Sequence, residues 1–259
     1  MNGFLSSIFS ALEDGMLSEE NVYWLCKKLL TNGLEKTEGS DLFVVFISNE
    51  KKQAWRSYYL IRCSALWRIL RIQSAEQWKM QIGVRLVGVN LVTVMQIPLW
   101  HQKASQRADG ITLWDYHVIC VQRIKEGSTS HVVWDLDSSL PFPSPLSTYV
   151  SESIRPSFQL FSEFQRFFRI VHAPLFLRYF ASDRRHMKDP DGNWISQPPA
   201  WETIVAEDGT VHNMNEYIEM SAANVVKIIG ADLVDAVYTQ KFGVLIGQNH
   251  LEEFFSLVS

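Results

Sequence analysis

A chain of 259 residues, 47% hydrophobic and 20% charged, has the composition of a soluble globular protein, folded as one sizeable domain or two small ones. Its net charge of −4 argues against a nucleic-acid binder, which gathers a basic surplus on one face. Three cysteines at no metal or disulfide spacing (Cys26, Cys63, Cys120), no secretory pattern from Met1 to Leu12 and no membrane-length apolar run make the cytosol the expected compartment.

The first expected element is a helix starting at Ser18. Serine is a favoured N-cap, Glu19 and Glu20 suit the positive end of the helix dipole, and Val22, Trp24 or Leu25, and Leu29 form an apolar stripe. Asn32-Gly33 is a plausible stop. Residues 42–47 (LFVVFI) read as a buried strand.

Residues 54–96 stand apart. They carry Arg56, Arg62, Arg68, Arg71, Lys79 and Arg85 against the single acid Glu76, a net +5 that leaves −9 for the rest of the chain. Trp55, Trp67 and Trp78 also lie here, with helical clustering around Leu66–Leu70 and a strand-like end from Leu86 to Met95. An ordinary helix–strand unit, a basic partner-binding insertion, a membrane-surface helix and normally untranslated sequence all fit this composition.

Two strands follow, 111–122 (ITLWDYHVICVQ) and 131–137 (HVVWDLD), around a turn-like stretch from Lys125 to Ser130. Side chains alternate faces along a strand, so Asp115 and His117 share one face, and Val133, Asp135 and Asp137 share another. A hairpin centred near residue 126 sets His117 opposite Asp135, and cross-strand Cβ atoms lie about 4.5–5.5 Å apart. The hairpin alone therefore proposes an imidazole–carboxylate pair.

Beyond it, Pro141-Phe142-Pro143-Ser144-Pro145 reads as a rigid loop, 167–171 (FFRIV) as a strand, and 174–181 (PLFLRYFA) as a helix with proline in its first turn. Residues 182–199 form a polar loop with a turn at Asp191-Gly192. The segments 215–220 and 230–236 are helical in pattern, and the C-terminal part reads as packing rather than chemistry.

The string Trp114-Asp115-Tyr116-His117-Val118 matches the WDYHV signature of the protein N-terminal glutamine amidohydrolase family. Ser18 to Cys26 resembles the family's opening helix, and Val45 to Lys52 its first core strand. Asp135-Leu136-Asp137, Leu140 to Pro143, Ala181 to Lys188 and Gly192-Asn193-Trp194 follow in the family's order, so the likeness covers roughly 17–53 and 97–243. It implies an α+β fold with a papain-like or transglutaminase-like core: an antiparallel sheet and, packed on it, the N-terminal helix that carries the nucleophile. It also implies an amidohydrolase that turns an N-terminal glutamine of a protein or peptide into glutamate with release of ammonia, a step preceding arginylation in the N-degron pathway. The resemblance further implies a monomer; the expected compartment is the cytoplasm, with the nucleus second, and no cofactor, metal, nucleic-acid or membrane partner is expected. By motif, His117 takes the general acid/base role and Asp135 orients it.

The sequence departs from this pattern in two places. The family's nucleophilic cysteine immediately precedes Glu-Glu-Asn, and here Ser18 precedes Glu19-Glu20-Asn21. A hydroxyl beside histidine stays neutral where a thiol ionises, so the alternative to an active enzyme is an inactive isoform or pseudoenzyme; turnover using Ser18 itself is a third reading. Cys26 lies about 12 Å further along the helix axis and Cys120 on the opposite face of its strand from His117, so neither replaces the thiol. Second, joining Gln53 to Ile97 restores a family-like sequence, which marks 54–96 as translated intron or a mis-assigned exon, with 1–17 replacing the normal start; transcript sequencing tests this. No pair among the remaining histidines has metal-ligand spacing. Trp114 and Trp134 read as core, Asp115 as a structural acid, and Asp183 and His186 as either cleft lining or solvated loop. Glu50, Asp137 and Asp183 are the acids offered as readers of a substrate's free α-ammonium group.

Overall fold

The computed structural model describes residues 18–31, 41–50, 96–126, 128–160, 164–189, 191–195 and 197–258. The helix and strand expected within 54–96, and the Asn32-Gly33 stop, lie outside these residues. All described residues belong to one compact unit, Met1–Lys52 with Met95–Ser259.

The architecture is α+β around a six-stranded antiparallel sheet. In chain order come α1 (Ser18–Thr31), β1 (Asp41–Ser48), β2 (Ile97–Leu99), β3 (Thr112–Trp114), β4 (His117–Glu126), β5 (Ser128–Trp134), β6 (Ser144–Pro145) and α2 (Leu146–Tyr149). A π-turn, Val150–Ile154, extends α2; then follow β7 (Phe167–His172), α3 (Ala173–Tyr179), α4 (Met214–Ile218), α5 (Ala231–Val237), β8 (Val244–Gly247) and α6 (Leu251–Leu257). The sheet order is β6-β5-β4-β1-β7-β8, and β2 and β3 pair separately.

Strand β1 is central, and its apolar run is explained by burial on both faces. Leu42, Val44 and Phe46 pack with Val118 and Cys120 against Val22, Leu25, Cys26 and Leu29 of α1. Phe43, Val45 and Ile47 pack with Ile119 and Val121 against Tyr149, Phe254 and Phe255 on the other side. The period-2 alternation of β4 thus divides Cys120 from Ile119 and Val121, as strand geometry requires. Gly243 closes the turn into β8 at φ +61°, where a Cβ would lie 1.9 Å from the Ile170 carbonyl oxygen.

Three sequence expectations need correction. The stretch 111–122 is two strands, broken at Asp115-Tyr116, and β5 ends at Trp134, so Asp135 and Asp137 occupy the turn that follows. The polar stretch 125–130 is mostly strand: the ladder between β4 and β5 runs through Lys125 with Thr129 to Glu126 with Ser128. The last paired residues before the site are Cys120 and Trp134, and continuing that register puts His117 across from Asp137, with Asp135 on the diagonal. Beyond these three, β2, α2, β8 and α6 have no counterpart among the expected elements, and β6 lies at the end of the stretch read as a rigid loop.

Candidate active site

His117 opens β4 beside Ile47, the penultimate residue of β1. Its Nε2 lies 3.0 Å from Asp135 Oδ1, with both side chains buried. The diagonal position suffices because β5 has left the ladder and the turn carries Asp135 back toward the imidazole.

Asp135 is held by further donors. The Asp137 backbone N–H donates to Oδ1 at 3.0 Å, the Tyr149 hydroxyl to Oδ2 at 2.7 Å, and Gln102 Nε2 to Oδ2 at 3.4 Å. The turn itself is strapped by residues 101–103. The His101 carbonyl accepts from Ser139 N at 2.8 Å, while Lys103 donates its N–H to the Asp137 carbonyl at 2.7 Å and its Nζ to the Leu136 carbonyl at 2.9 Å. Tyr149 comes from the end of α2, and the π-turn after it is tied down by Trp100 N to Ser153 O at 3.1 Å.

Burial pulls the His117 pKa down, but the charge and hydrogen bond of Asp135, with help from Asp137, overcome it and leave the value raised. For Asp135 burial pushes up, yet His117, Tyr149 and the Asp137 N–H bring it below the usual carboxylate range. An ionised Asp135 requires the proton on Nε2, so Nδ1 is the nitrogen left to take or give a proton; it is buried and has no hydrogen-bond partner among the described residues. The Trp114 ring stacks on the imidazole at 5.2 Å and 27°, so Trp114 is a wall of the site as well as core packing. Trp134 is core, its Nε1 donating to Gln122 Oε1 at 3.0 Å, and Asp115 accepts from Gln96 Nε2 at 3.3 Å, a structural contact.

The tip of α1 is tied to the same strand end. Tyr116, the residue before His117, donates its hydroxyl to Glu19 Oε2 at 2.6 Å. Glu20 accepts from Arg184 Nε and Nη2 at 2.9 Å each and from Trp201 Nε1 at 2.7 Å. The two acids that suit the helix dipole are thus also fully buried clasps. Ser18 is the first residue of this clasped helix. His186 Nε2 lies 3.5 Å from Glu19 Oε1, which draws the 182–199 loop to the helix tip, whereas Asp183 is bonded to Arg185 and lies 3.1 Å from His212 Nδ1.

Cys26 and Cys120 are buried in the core with their sulfurs 3.7 Å apart, and burial pushes the Cys120 thiol well above its ordinary range. Both are inert packing residues. Among the described residues one group of three, His117, Asp135 and Asp137, has ligand-capable atoms within 4.8 Å of one another. Two of the three already bond each other, and Asp135 is ringed by hydrogen donors, the surroundings of a carboxylate that serves an imidazole rather than a cation.

The sequence profile of the N-terminal glutamine amidase family matches residues 71–255, beginning inside the stretch that the joined motifs mark as inserted. The chain belongs to the N-terminal glutamine amidase family. It is 52% identical over 238 residues to the protein N-terminal glutamine amidohydrolase of Arabidopsis thaliana, covering 92% of this chain and 88% of that one. The rice (Oryza sativa subsp. indica) protein of the same name is 46% identical over 239 residues, covering 92% and 84%. That of Drosophila grimshawi is 42% identical over 126 residues, 49% of this chain and 60% of its own.

Sequence reasoning missed Tyr149, Gln102 and the Glu20–Arg184 pair of this family member. Glu20 and Arg184 carried a hint, as parts of the Ser18–Cys26 and Ala181–Lys188 strings that resemble the family. No helix of the described residues is long and apolar enough to cross a membrane.

Proposed function

We propose that this chain has the framework of an amidohydrolase acting on N-terminal glutamine of proteins or peptides, and that residue 18 decides whether it turns over. The observation that carries the reading is the buried His117–Asp135 pair with Nδ1 unpartnered among the described residues, on a strand end tied to the helix that begins at Ser18. The fold reading that accompanies it is a papain-like or transglutaminase-like core, supported by a helix bearing the nucleophile position packed on the strand that bears histidine. We read His117 as acid/base and Asp135 as its orienting carboxylate.

With sulfur at residue 18 the chemistry runs in two halves. The thiolate attacks the side-chain amide carbon, and the imidazolium gives its Nδ1 proton to the departing nitrogen, which leaves as ammonia. Water then attacks the thioester while Nδ1 takes its proton, releasing glutamate and the thiol. Asp135 keeps the proton on Nε2 and stabilises the imidazolium through both halves. With Ser18 the first half starts from a neutral hydroxyl, and loss of a triad nucleophile lowers turnover by about 10⁶-fold in a model protease. The chain as it stands is therefore read as a binder of N-terminal glutamine with little or no turnover.

The 54–96 stretch is read as an interruption of one domain, supported by Ile47 and Ile97 lying in the same core cluster. The test of function is mass spectrometry of a Gln-initiated peptide incubated with the purified chain and with Ser18→Cys. Conversion of amide to acid is expected with the cysteine variant alone. Turnover by the parent would move the assignment to a serine amidase, and no turnover by either would refute the amidohydrolase framework.

A further inference from the structure

Resting on that functional reading, we propose that the Asp137 carboxylate receives the substrate's free α-ammonium group and so restricts the site to glutamine at a chain terminus. Of the three acids that the sequence offers for this task, two are committed elsewhere. Asp183 is engaged by Arg185 through its backbone N–H and guanidinium and by His212. Glu50 accepts from the Ala222 N–H, and the bonds described for it include none to the His117–Asp135 network.

Asp137 differs on every count. Its backbone is fixed from both sides, N–H to Asp135 and carbonyl to Lys103, so the side chain alone is left to bind. That side chain is 38% exposed, and no hydrogen bond reaches its carboxylate among the described residues. Oδ2 lies 4.0 Å from His117 Nδ1, the nitrogen assigned to proton transfer. Burial, together with the neighbouring Asp135 charge, lifts its pKa, the mark of a carboxylate short of donors. Lys103, which also acts on it electrostatically, directs its Nζ to the Leu136 carbonyl.

Substrate dimensions fit this placement. In glutamine the α-nitrogen is four bonds from the side-chain amide carbon, a span of about 5 Å when extended. A carboxamide nitrogen at hydrogen-bond distance from Nδ1 therefore allows the α-ammonium to reach Oδ2 of a carboxylate 4.0 Å from that same nitrogen. Internal glutamine, whose nitrogen is an uncharged amide, would leave the half-buried Asp137 charge unpaired, which a polar site penalises.

The test compares two peptides identical except that one begins with glutamine and the other with a glutaramoyl group, which keeps the carboxamide and lacks the α-amine. Ser18 suits the parent chain to binding by calorimetry, and Ser18→Cys serves for kcat/KM. A preference for the amine-bearing peptide of roughly ten- to a hundred-fold is expected, the range for a hydrogen bond between charged groups. Asp137→Asn should erase most of that preference while still binding the glutaramoyl peptide. A structural role, or an effect exerted through His117, would change both peptides alike and leave the ratio intact. A ratio unchanged in Asp137→Asn, or near one in the parent, overturns the Asp137 assignment and leaves the amidohydrolase reading standing. Failure of both peptides with both parent and Ser18→Cys overturns that reading itself.

Discussion

Tyr149→Phe isolates the hydrogen bond that supports Asp135 from behind. The substitution keeps the ring, which is fully buried in the core, and deletes only the hydroxyl that donates to Oδ2 at 2.7 Å. A hydrogen bond to a charged group contributes about 1.5–3 kcal/mol, and a neutral one about 0.5–1.5. Gln102 at 3.4 Å is too long to replace it. We expect Tyr149→Phe to cost about 2 kcal/mol in urea unfolding at neutral pH, and about 1 kcal/mol when Asp135 is already Asn, because the charge is gone from the bond. The difference between the two costs is the part owed to charge. In the Ser18→Cys background the same change should lower kcat with KM nearly unchanged, since Asp135 acts through His117 and not on substrate. Equal costs in both backgrounds, or a cost below about 0.5 kcal/mol, would refute the view that this hydroxyl sustains an ionised carboxylate.

Two further outcomes follow from the buried charges. Glu20→Gln strands the Arg184 guanidinium, which is almost fully buried, and should destabilise the protein by about 3–5 kcal/mol in chemical denaturation; a loss under about 1 kcal/mol would show that water reaches the pair. For His117, NMR titration of the imidazole should place its pKa above the ordinary 6.5, and Asp135→Asn should drop it below, because burial, the largest influence, is then opposed only by the charge of Asp137. The sign for stability follows: with the folded pKa raised, His117 contributes fully below the unfolded value of about 6.5 and loses that contribution as pH rises through the folded value. Asp135→Asn should abolish this alkaline loss, and a pH–stability curve with the same slope in both proteins would contradict the pairing.

The His117–Asp135 pair was legible because strand alternation puts the two residues on facing sides of a hairpin, and a two-residue error in register still leaves them diagonal neighbours. That error arose at Ser128-Thr129-Ser130, polar residues that look like a turn yet belong to β5. The α1 stripe and β1 were legible for the same reason: periodicity reports burial. Charge pairing has no period. Glu20 and Arg184 are 164 residues apart, and in sequence Glu20 looks like any acid in a helix's first turn. Tyr149 and Gln102 reach Asp135 from 14 and 33 residues away with no local pattern to mark them. Helix α6 did leave a signal, since Leu251, Phe254, Phe255 and Val258 fall at helical spacing and all are buried. Strand β8, four residues long at the sheet edge, left almost none.

The arrangement also bears on how far the pair depends on the side chain at residue 18. Every bond that fixes the pair comes from the turn 135–139, the strap 101–103, Tyr149 or Asp137, and none of these described bonds involves residue 18. The clasps that place the helix tip use Glu19 and Glu20, so they too are indifferent to whether the preceding side chain ends in oxygen or sulfur. If the proposed roles hold, the nucleophile position and the His117–Asp135 pair are held by separate described bonds, so a change in the first leaves those of the second in place. On the proposed reading, sulfur at residue 18 breaks none of these described bonds, so the single substitution Ser18→Cys tests the framework.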